Sequence, residues 1–300
     1  MESSTEQIVR YNTEQIVKGV STEQISFNLD TDFIVVQHNN LIMANYNMTA
    51  LEQKLFLILL STIKKEDTEV TKRIFRVADL AKLMNVTQHS LYKDLKRTCK
   101  TLMTKTIEVQ KPDGDWDMIN IIPTSKYHNA QGTISLKVNK DAYPYLLQLK
   151  KMFTHFKLEN ILELDSKYAI RIYQQAKSNL NRKTYIISLN DFKRSLCLTQ
   201  KAYNSFSNIN LKVLTPSIKE INNKTDIKIS IEQIKVGRKV DSLKFNVYPN
   251  KITNVRYNNE HEDFMKSNKD IIAPEYDYKK LEQGLLGYED IDIRDAIKKK

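Results

Sequence analysis

Two kinds of hydrophobic periodicity follow one another between Phe206 and Phe245. The first half has apolar residues at helical spacing, which are Phe206, Ile209, Val213, Leu214, Ile218 and Ile221. A turn-type cluster at 223–226 ends this pattern, and isoleucines at every second position from Ile227 to Ile231 then alternate with polar residues. A second alternating run, from Leu243 to Val247, follows a short basic connection. The pattern therefore predicts a helix and then a β-hairpin with a basic tip.

The same order of elements is predicted earlier in the chain. A capping-box pattern at Thr49 and Glu52 begins a hydrophobic helix over 50–64. The segments that follow are predicted as a strand at 74–77, a short helix at 78–84, a longer helix at about 90–105, and two strands at 107–110 and 116–122. The chain thus contains two copies of one pattern: helix, strand, short helix, basic helix, hairpin.

The second copy begins after a bridging segment. We expect a helix over 141–156 in this bridge, with Pro144 in its first turn. A helix over 166–179, a strand at 185–188 and a short helix near Phe192 then lead to the helix that begins at Phe206.

Helices joined by a turn and followed by a hairpin have the plan of a winged helix. The predicted fold class is therefore α+β, with two tandem winged-helix domains related by pseudo-symmetry. The predicted divisions are a flexible N-terminal repeat tail at 1–32, the first domain at 33–138, a connecting helix or linker at 139–165, the second domain at 166–249 and a C-terminal tail at 250–300.

Each copy carries polar and basic residues opposite the apolar face of its longest helix. Such a run is usually a solvated helix surface. Its repetition in both copies instead favours contact with DNA, because a winged helix places this helix in the major groove and its wing on the backbone or in the minor groove. The predicted DNA-binding residues are Lys93, Lys96, Arg97 and Lys100 in the first copy, Asn208, Lys212 and Lys219 on the second helix, and Lys235, Arg238 and Lys239 in the second wing.

The distribution of charge supports an anionic partner. The 300 residues have a formal net charge of +11 and a pI of about 9.3. Residues 33–250 carry a net charge of +16, whereas 1–32 and 251–300 carry −4 and −1. The basic character therefore belongs to the predicted folded part.

Patterns for catalysis and cofactor binding are absent from the sequence. Cys99 and Cys197 lie in amphipathic stretches, where we expect small core residues, and the five histidines show no zinc-ligand spacing. Neither phosphate-binding glycine motif occurs, and no His pair or carboxylate pair suits metal-dependent nicking or priming. We therefore predict no catalytic residue, cofactor or metal. No apolar run is long enough to span a membrane, and a cytoplasmic protein is expected.

The N-terminal segment repeats Thr-Glu-Gln-Ile three times, beginning at Thr5, Thr13 and Thr22. The spacing is too short for a solenoid, and the polar composition predicts a mobile tail. A second hypothesis concerns the gene, in which the same repeats would be direct repeats of DNA and hence binding sites for a DNA-binding protein.

Three stretches carry a resemblance to a known family. They read VVQHNNLIMANYNMTALEQKLFLILL from Val35, SKYAIRIYQQAK from Ser166, and the segment Phe206–Phe245 with VLTPSIKEIN, KTD, VGRKV and LKF. Over about residues 33–248 the chain resembles the Rep_3-type iteron-binding plasmid replication initiators.

This resemblance implies two winged-helix domains that bind direct repeats at a plasmid origin as a monomer. It also implies a homodimer that represses its own promoter, with the first domain as the candidate dimer surface, and recruitment of a host initiator and replicative helicase. Two alternatives remain open at this stage. One is a plain winged-helix transcriptional repressor, and the other is a nicking or priming enzyme.

Overall fold

The computed structural model describes residues 24–26, 33–63, 67, 72–110, 114–147, 149 and 152–250. The C-terminal tail predicted at 250–300 lies outside these residues beyond Asn250. So do 1–23 and 27–32 of the predicted N-terminal tail. Within that tail, however, Gln24–Ser26 of the third repeat form a strand, β1, which pairs in parallel with Lys72–Ile74.

The first half of the chain contains the elements of one winged helix and an added hairpin. Its elements are β2 (Ile34–His38), α1 (Asn39–Met43), α2 (Ala50–Ser61), β3 (Lys72–Arg76), α3 (Val77–Leu83), α4 (Gln88–Leu102), β4 (Thr106–Gln110), β5 (Trp116–Asn120), β6 (Thr124–His128) and β7 (Thr133–Lys137). The capping box predicted at Thr49 is present, since Thr49 and Glu52 exchange hydrogen bonds at the start of α2.

A connecting region leads to the second half. It contains β8 (Phe153–Lys157) and α5 (Leu158–Leu162). The later elements are α6 (Lys167–Lys177), β9 (Thr184–Ser188), α7 (Leu189–Ser195), α8 (Phe206–Ile209), a π-helical segment (Asn210–Leu214), α9 (Thr215–Lys224), β10 (Ile227–Val236) and β11 (Lys239–Pro249). Short 3-10 helices lie at Asn129–Gln131, Lys140–Tyr145, Leu180–Arg182 and Lys201–Asn204.

The two halves share one sheet topology. In the first half β7 lies between β3 and β6, and in the second half β11 lies between β9 and β10. In both, the first strand runs directly into a seven-residue helix, α3 or α7, and the last two strands form an antiparallel hairpin. The predicted α+β fold with two pseudo-symmetric winged helices is confirmed.

The turn after the short helix repeats atom for atom at a sequence offset of 112. Asn85 and Cys197 both adopt a left-handed conformation, with φ of 51° in each case. Val86 N–H donates to the carbonyl of Ala81 at 3.0 Å, and Leu198 N–H donates to that of Lys193 at 2.9 Å. This bond, from a residue just beyond the helix to one five positions earlier, defines a Schellman cap and fixes where the chain leaves the short helix.

The predicted wing of the first domain is corrected by the structure. The strands expected at 107–110 and 116–122 exist, but β4 and β5 form a separate two-stranded sheet. The hairpin β6–β7 pairs with β3 instead, and it therefore occupies the position that β10–β11 occupies in the second half. The first winged helix thus carries an inserted hairpin between its long helix and its wing.

Two further expectations were wrong. The helix predicted over 141–156 is replaced by the 3-10 helix at Lys140–Tyr145 and by β8, which pairs antiparallel with β2. Cys99 is buried as expected, but Cys197 lies in the left-handed turn, half-buried, with its Sγ donating to Asn45 Oδ1 at 2.6 Å. Both cysteines are free thiols, and burial raises the pKa of each.

Helix α6 runs through the centre of the molecule, and its residues from Ala169 to Lys177 are all buried. It begins at Ser166, whose hydroxyl caps the backbone N–H groups of Tyr168 and Ala169. It packs against α1 and α2 from the first half and against α9 and β11 from the second. The predicted domain boundary at 166 places this helix in the second domain and stays a prediction.

Arg171 of α6 is buried and donates hydrogen bonds to segments of both halves. Its guanidinium donates to the Ala44 carbonyl at 2.7 Å, to the Ser195 carbonyl at 3.3 Å and to the Tyr46 hydroxyl. It also lies 3.9 Å from the centre of the Tyr46 ring. Burial lowers the pKa of Arg171, but a guanidinium starts from so high a value that it stays charged.

A buried ion pair joins the C-terminal end of α6 to the residue just before β10. Lys177 contacts the Asp226 carboxylate, which also accepts a hydrogen bond from the Tyr173 hydroxyl at 2.9 Å. The backbone N–H of Asp226 donates to Asn160 Oδ1 at 2.9 Å. These bonds satisfy the polar groups that the buried turn would otherwise leave unpaired.

The left-handed turn yields a paired prediction. Asn85→Gly should leave the free energy of unfolding equal or raise it, whereas Asn85→Ala should lower it by about 1 kcal/mol, because a Cβ without a local hydrogen bond is strained there. Urea unfolding followed by circular dichroism measures both. Equal unfolding midpoints for the two variants would contradict the turn geometry.

A second prediction concerns Arg171. Arg171→Met should lower the free energy of unfolding by about 3 kcal/mol, since buried oxygens of Ala44, Ser195 and Tyr46 lose their donor. Arg194→Met is the control, because Arg194 is half exposed and bonds Asp191 at 3.0 Å on the surface. It should cost about 0.5 kcal/mol or less. Equal losses in the two variants would show that Arg171 has no special role.

Candidate nucleic-acid interface

The helical segment 206–224 is the candidate recognition helix of the second half. Its core face is formed by Ile209, Val213, Leu214 and Ile221, each at most 1% exposed. The predicted core residues Phe206 and Ile218 are partly buried against this face. The helical spacing in the sequence therefore identified the buried face.

A π-helical turn interrupts this helix at Asn210–Leu214, where Thr215 N–H donates to the Asn210 carbonyl five residues earlier. The sequence explains the widening. Pro216 has no backbone N–H, and in a regular α-helix its ring would collide with the carbonyl of Lys212 four residues earlier. The wider turn accommodates the ring and keeps both halves of the segment packed on one core.

Glu220 positions the candidate recognition helix against α6. Its carboxylate accepts the backbone N–H groups of Asp165 at 2.5 Å and Ser166 at 3.3 Å, immediately before the first turn of α6. Lys224, one turn later, bonds the Asp165 carboxylate at 2.7 Å. The hydrogen bond from Lys224 holds the pKa of Asp165 below its usual value, so this carboxylate stays ionised at neutral pH.

The predicted residues of this helix lie in different environments. Lys212 and Lys219 are exposed, opposite the core face. Asn208 is only partly exposed, and its side-chain amide donates to the Ala202 carbonyl at 2.8 Å. Asn208 therefore holds the loop before the helix and is not free in this structure to donate that hydrogen to a base.

The second wing has a basic tip, as the sequence predicted. β10 ends at Val236 and β11 begins at Lys239, and Gly237 between them has φ of 61°, which favours glycine. The predicted residues Lys235, Arg238 and Lys239 are all exposed around this turn. The tip therefore presents three cations to solvent.

The long helix of the first half, α4, is strongly amphipathic. Leu91, Leu95 and Leu102 are buried, whereas the predicted residues Lys93, Lys96, Arg97 and Lys100 are all exposed. The guanidinium of Arg97 bonds Asp94 Oδ1 at 2.8 Å, and the two side chains are 77% and 47% exposed. Such a surface pair is weak, so Arg97 can exchange Asp94 for another anion at little cost.

Tyr92 joins α4 to the first wing, a contact that the sequence prediction missed. Its hydroxyl donates to Asn129 at the wing tip, and its ring meets that of Tyr127 edge to face, with centroids 5.2 Å apart. Burial and the contact with Tyr92 raise the pKa of Tyr127 to about 12. In the sequence, the segments of β4 and β5 already form a complete hairpin pattern, and the actual wing, β6–β7, lies after them. No pattern there indicated that Asn129 or Tyr127 belongs to the wing.

Within the described part of the chain, no group of three or more His, Cys, Asp and Glu side chains could hold a metal ion. A search of the same residues for a helix with the length and apolar character of a membrane span found none.

Two winged helices, each with an exposed basic helix, define a tandem winged-helix protein. A family model described as "Initiator Replication protein, WH1" matches residues 34–177, and one described as "Initiator Rep protein, WH2" matches residues 188–247. The chain belongs to this family of replication initiator proteins, which confirms the resemblance seen in the sequence.

Individual relatives agree with this assignment. A "Replication initiation protein" of Escherichia coli is 29% identical over 227 residues, which are 72% of this chain and 70% of that protein. A "Probable replication protein rep" of Bifidobacterium longum (strain NCC 2705) is 31% identical over 106 residues, which are 35% of this chain and 36% of that protein.

The fold itself is similar to that of a solved structure described as "Crystal structure of Pi initiator protein in complex with iteron DNA". The TM-score is 0.64 at 24% sequence identity, over 74% of this chain and 99% of that chain. At this identity the comparison shows a shared fold.

The two faces of the candidate recognition helix give a paired prediction. Val213→Ala should lower the free energy of unfolding by about 2 kcal/mol, because Val213 is 0% exposed and its truncation leaves a cavity. Leu211→Ala should change it by less than about 0.5 kcal/mol, because Leu211 is 69% exposed. Thermal unfolding compares them, and a larger loss for Leu211→Ala would show that the faces are assigned wrongly.

Proposed function

We propose that this protein initiates plasmid replication by binding repeated double-stranded DNA sites at the origin through both winged helices. Membership of the initiator family and the net charge of +16 on residues 33–250 support this proposal. The observation that carries it is structural. Each copy of the fold exposes basic residues on its longest helix, opposite that helix's buried face. A winged helix uses this face for the DNA major groove.

The candidate residues divide by their chemistry. Lys93, Lys96, Lys100, Lys212 and Lys219 would contact phosphates, each releasing counterions and adding about one unit to the salt dependence of binding. Arg97 would read a guanine, because its fork matches O6 and N7. The second wing, with Lys235, Arg238 and Lys239, would contact the backbone. Asn208 would act indirectly, by holding the loop before its helix.

A repressor form is the second candidate function. We propose that the protein also forms a homodimer through its first half and represses its own promoter in that form. The inserted hairpin supports this, because Trp116 and Met118 of β5 are each 59% exposed. Recruitment of a host initiator and a helicase, and the absence of an enzymatic activity, are further parts of the proposal. Opening of a bound supercoiled origin would separate an initiator from a plain repressor.

Fluorescence anisotropy with the full chain tests DNA recognition. One labelled duplex carries the DNA that encodes residues 1–30, with its repeats, and the other is a scrambled duplex of equal composition. Discriminating binding to the first is expected if the repeats in the gene are sites. Equal binding to both, with a steep salt dependence, would exclude those repeats as sites but leave a basic DNA-binding surface. The absence of binding to both at low salt would overturn the proposal.

Lys212 gives a direct test of the second recognition helix. Lys212→Ala should weaken binding and reduce the slope of log affinity against log salt by about one unit, because one phosphate contact is lost. Lys228→Ala is the matched control, since Lys228 is exposed on β10 away from the wing tip and should leave the slope unchanged. Equal slopes for wild type and Lys212→Ala would remove Lys212 from the interface.

Asp94 gives the opposite expectation for the first helix. Asp94→Asn removes a negative charge and releases Arg97, so DNA affinity should rise by about threefold or more at low salt. Arg97→Ala should lower affinity and remove the gain from Asp94→Asn in the double variant. An unchanged affinity in Asp94→Asn would show that α4 does not face DNA.

A further inference from the structure

The second recognition helix carries an apolar side chain on its solvent face. Among the large hydrophobic residues that the structure describes, Leu211 and Val236 are the most exposed, each at 69%. Leu211 lies in the π-helical turn of the recognition helix, and Val236 lies at the tip of the wing. Both therefore lie in the two elements that the proposed function assigns to DNA.

A single exposed leucine is ordinary on a protein surface, but the position of Leu211 on its helix is not. Val213 and Leu214, two and three residues further on, are buried, and the pattern of the helix thus turns Leu211 away from the core. Its neighbours on the outer side are the exposed Lys212 and, four residues on, the exposed Thr215. An apolar group is thus surrounded by side chains suited to phosphates and base edges.

The chemistry of the major groove limits what such a group can recognise. Leucine has no donor or acceptor and cannot read the hydrogen-bonding edge of a base. Thymine is the one standard base that presents a methyl group in the major groove, and apolar side chains distinguish it by contact with that methyl. Leu211 is exposed to solvent in the free protein and would become buried when the helix entered the groove. Burial of the leucine side chain and of the thymine methyl group would favour the complex.

We propose that Leu211 is a specificity-determining residue that contacts the 5-methyl group of a thymine in the bound DNA. This inference rests on the proposed function, since it requires segment 206–224 to enter the major groove. Lys212 and Lys219 hold the helix against the backbone and carry no sequence information, whereas Leu211 selects thymine at its position.

The test begins with a duplex selected by the full-length protein from a random-sequence library. Each thymine in that duplex is then replaced in turn by deoxyuridine, which removes the methyl group and leaves the base pairing unchanged. For the wild-type protein, replacement at one or two positions should reduce affinity about fourfold, the factor that corresponds to burial of one methyl group.

Leu211→Ala should bind the unmodified duplex at least about fourfold more weakly than the wild-type protein. Deoxyuridine at those positions should not reduce the affinity of this variant further. The other thymines should keep their wild-type sensitivity. Ile186→Ala is the control, because Ile186 is 61% exposed on β9, the strand farthest from the wing turn in its sheet. It should reproduce the wild-type profile at every thymine.

Two outcomes would overturn the inference. One is a Leu211→Ala profile that retains every sensitive thymine, and the other is a wild-type profile with no sensitive thymine. Failure of the selection to return any preferred sequence would contradict the proposed function itself, and it would remove the inference with it. The paired stability measurement on Leu211→Ala and Val213→Ala shows whether a loss of binding reflects unfolding.

Discussion

The buried charge of Arg171 is the constraint on which the arrangement of the two halves depends. A guanidinium stays protonated at neutral pH, and its removal from water is costly unless its N–H groups form hydrogen bonds. None of the bonds it makes to the described residues involves a carboxylate. Its partners are two backbone carbonyls, the Tyr46 hydroxyl, the Gln174 side-chain oxygen at 3.5 Å and the face of the Tyr46 ring, and its Nε has no hydrogen-bond partner among the described residues. Ala44 and Tyr46 belong to the first half and Ser195 to the second, so both must be in place.

The same helix explains why the two winged helices form one structural unit. Helix α6 is buried from Ala169 to Lys177, and its polar residues are bonded to both sides, Arg171 in its middle and Lys177 with Asp226 at its C-terminal end. Glu220 on α9 then accepts the backbone N–H groups of Asp165 and Ser166, just before α6 begins. The recognition helix of the second half is thereby fixed to the element that also contacts the first half. The position of this candidate helix therefore depends on the same core that contacts the first half.

Much of the fold was predictable, because each element carries its own local signal. The core face of segment 206–224, the capping box at Thr49 and the basic turn at Gly237 were all visible as spacing or as turn chemistry. Which hairpin serves as the first wing was not visible. Strand pairing depends on contacts distant in sequence, and β4–β5 satisfies the hairpin pattern as well as β6–β7 does. The helix prediction for the bridge at 141–156 was wrong for a related reason, since β8 is a strand only by pairing with β2, more than a hundred residues away.

The candidate interface was predictable in its charges and less so in its geometry. Exposure of the lysines follows from amphipathic spacing, but the bond from Asn208 to Ala202 depends on how the loop before the helix folds back. A turn at 85–87 was predictable from Asn85, but the same left-handed turn at Cys197 was not, since Cys197 is neither the glycine nor the asparagine that marks such a cap. The exact repetition of this turn at an offset of 112 shows that backbone geometry is retained where the side chains differ.

The two candidate recognition helices present different chemistry on this shared geometry. The first, α4, exposes four cations, and its Arg97 forms a surface ion pair with Asp94 at 2.8 Å, an interaction that salt screens. The second is divided by a π-helical turn that Pro216 imposes, and it exposes fewer charges beside an apolar side chain. Electrostatic attraction brings a protein to any DNA, whereas contacts at base edges distinguish one sequence from another. Arg97 on the first helix and Leu211 on the second are therefore candidates for different base contacts, a guanine edge and a thymine methyl group.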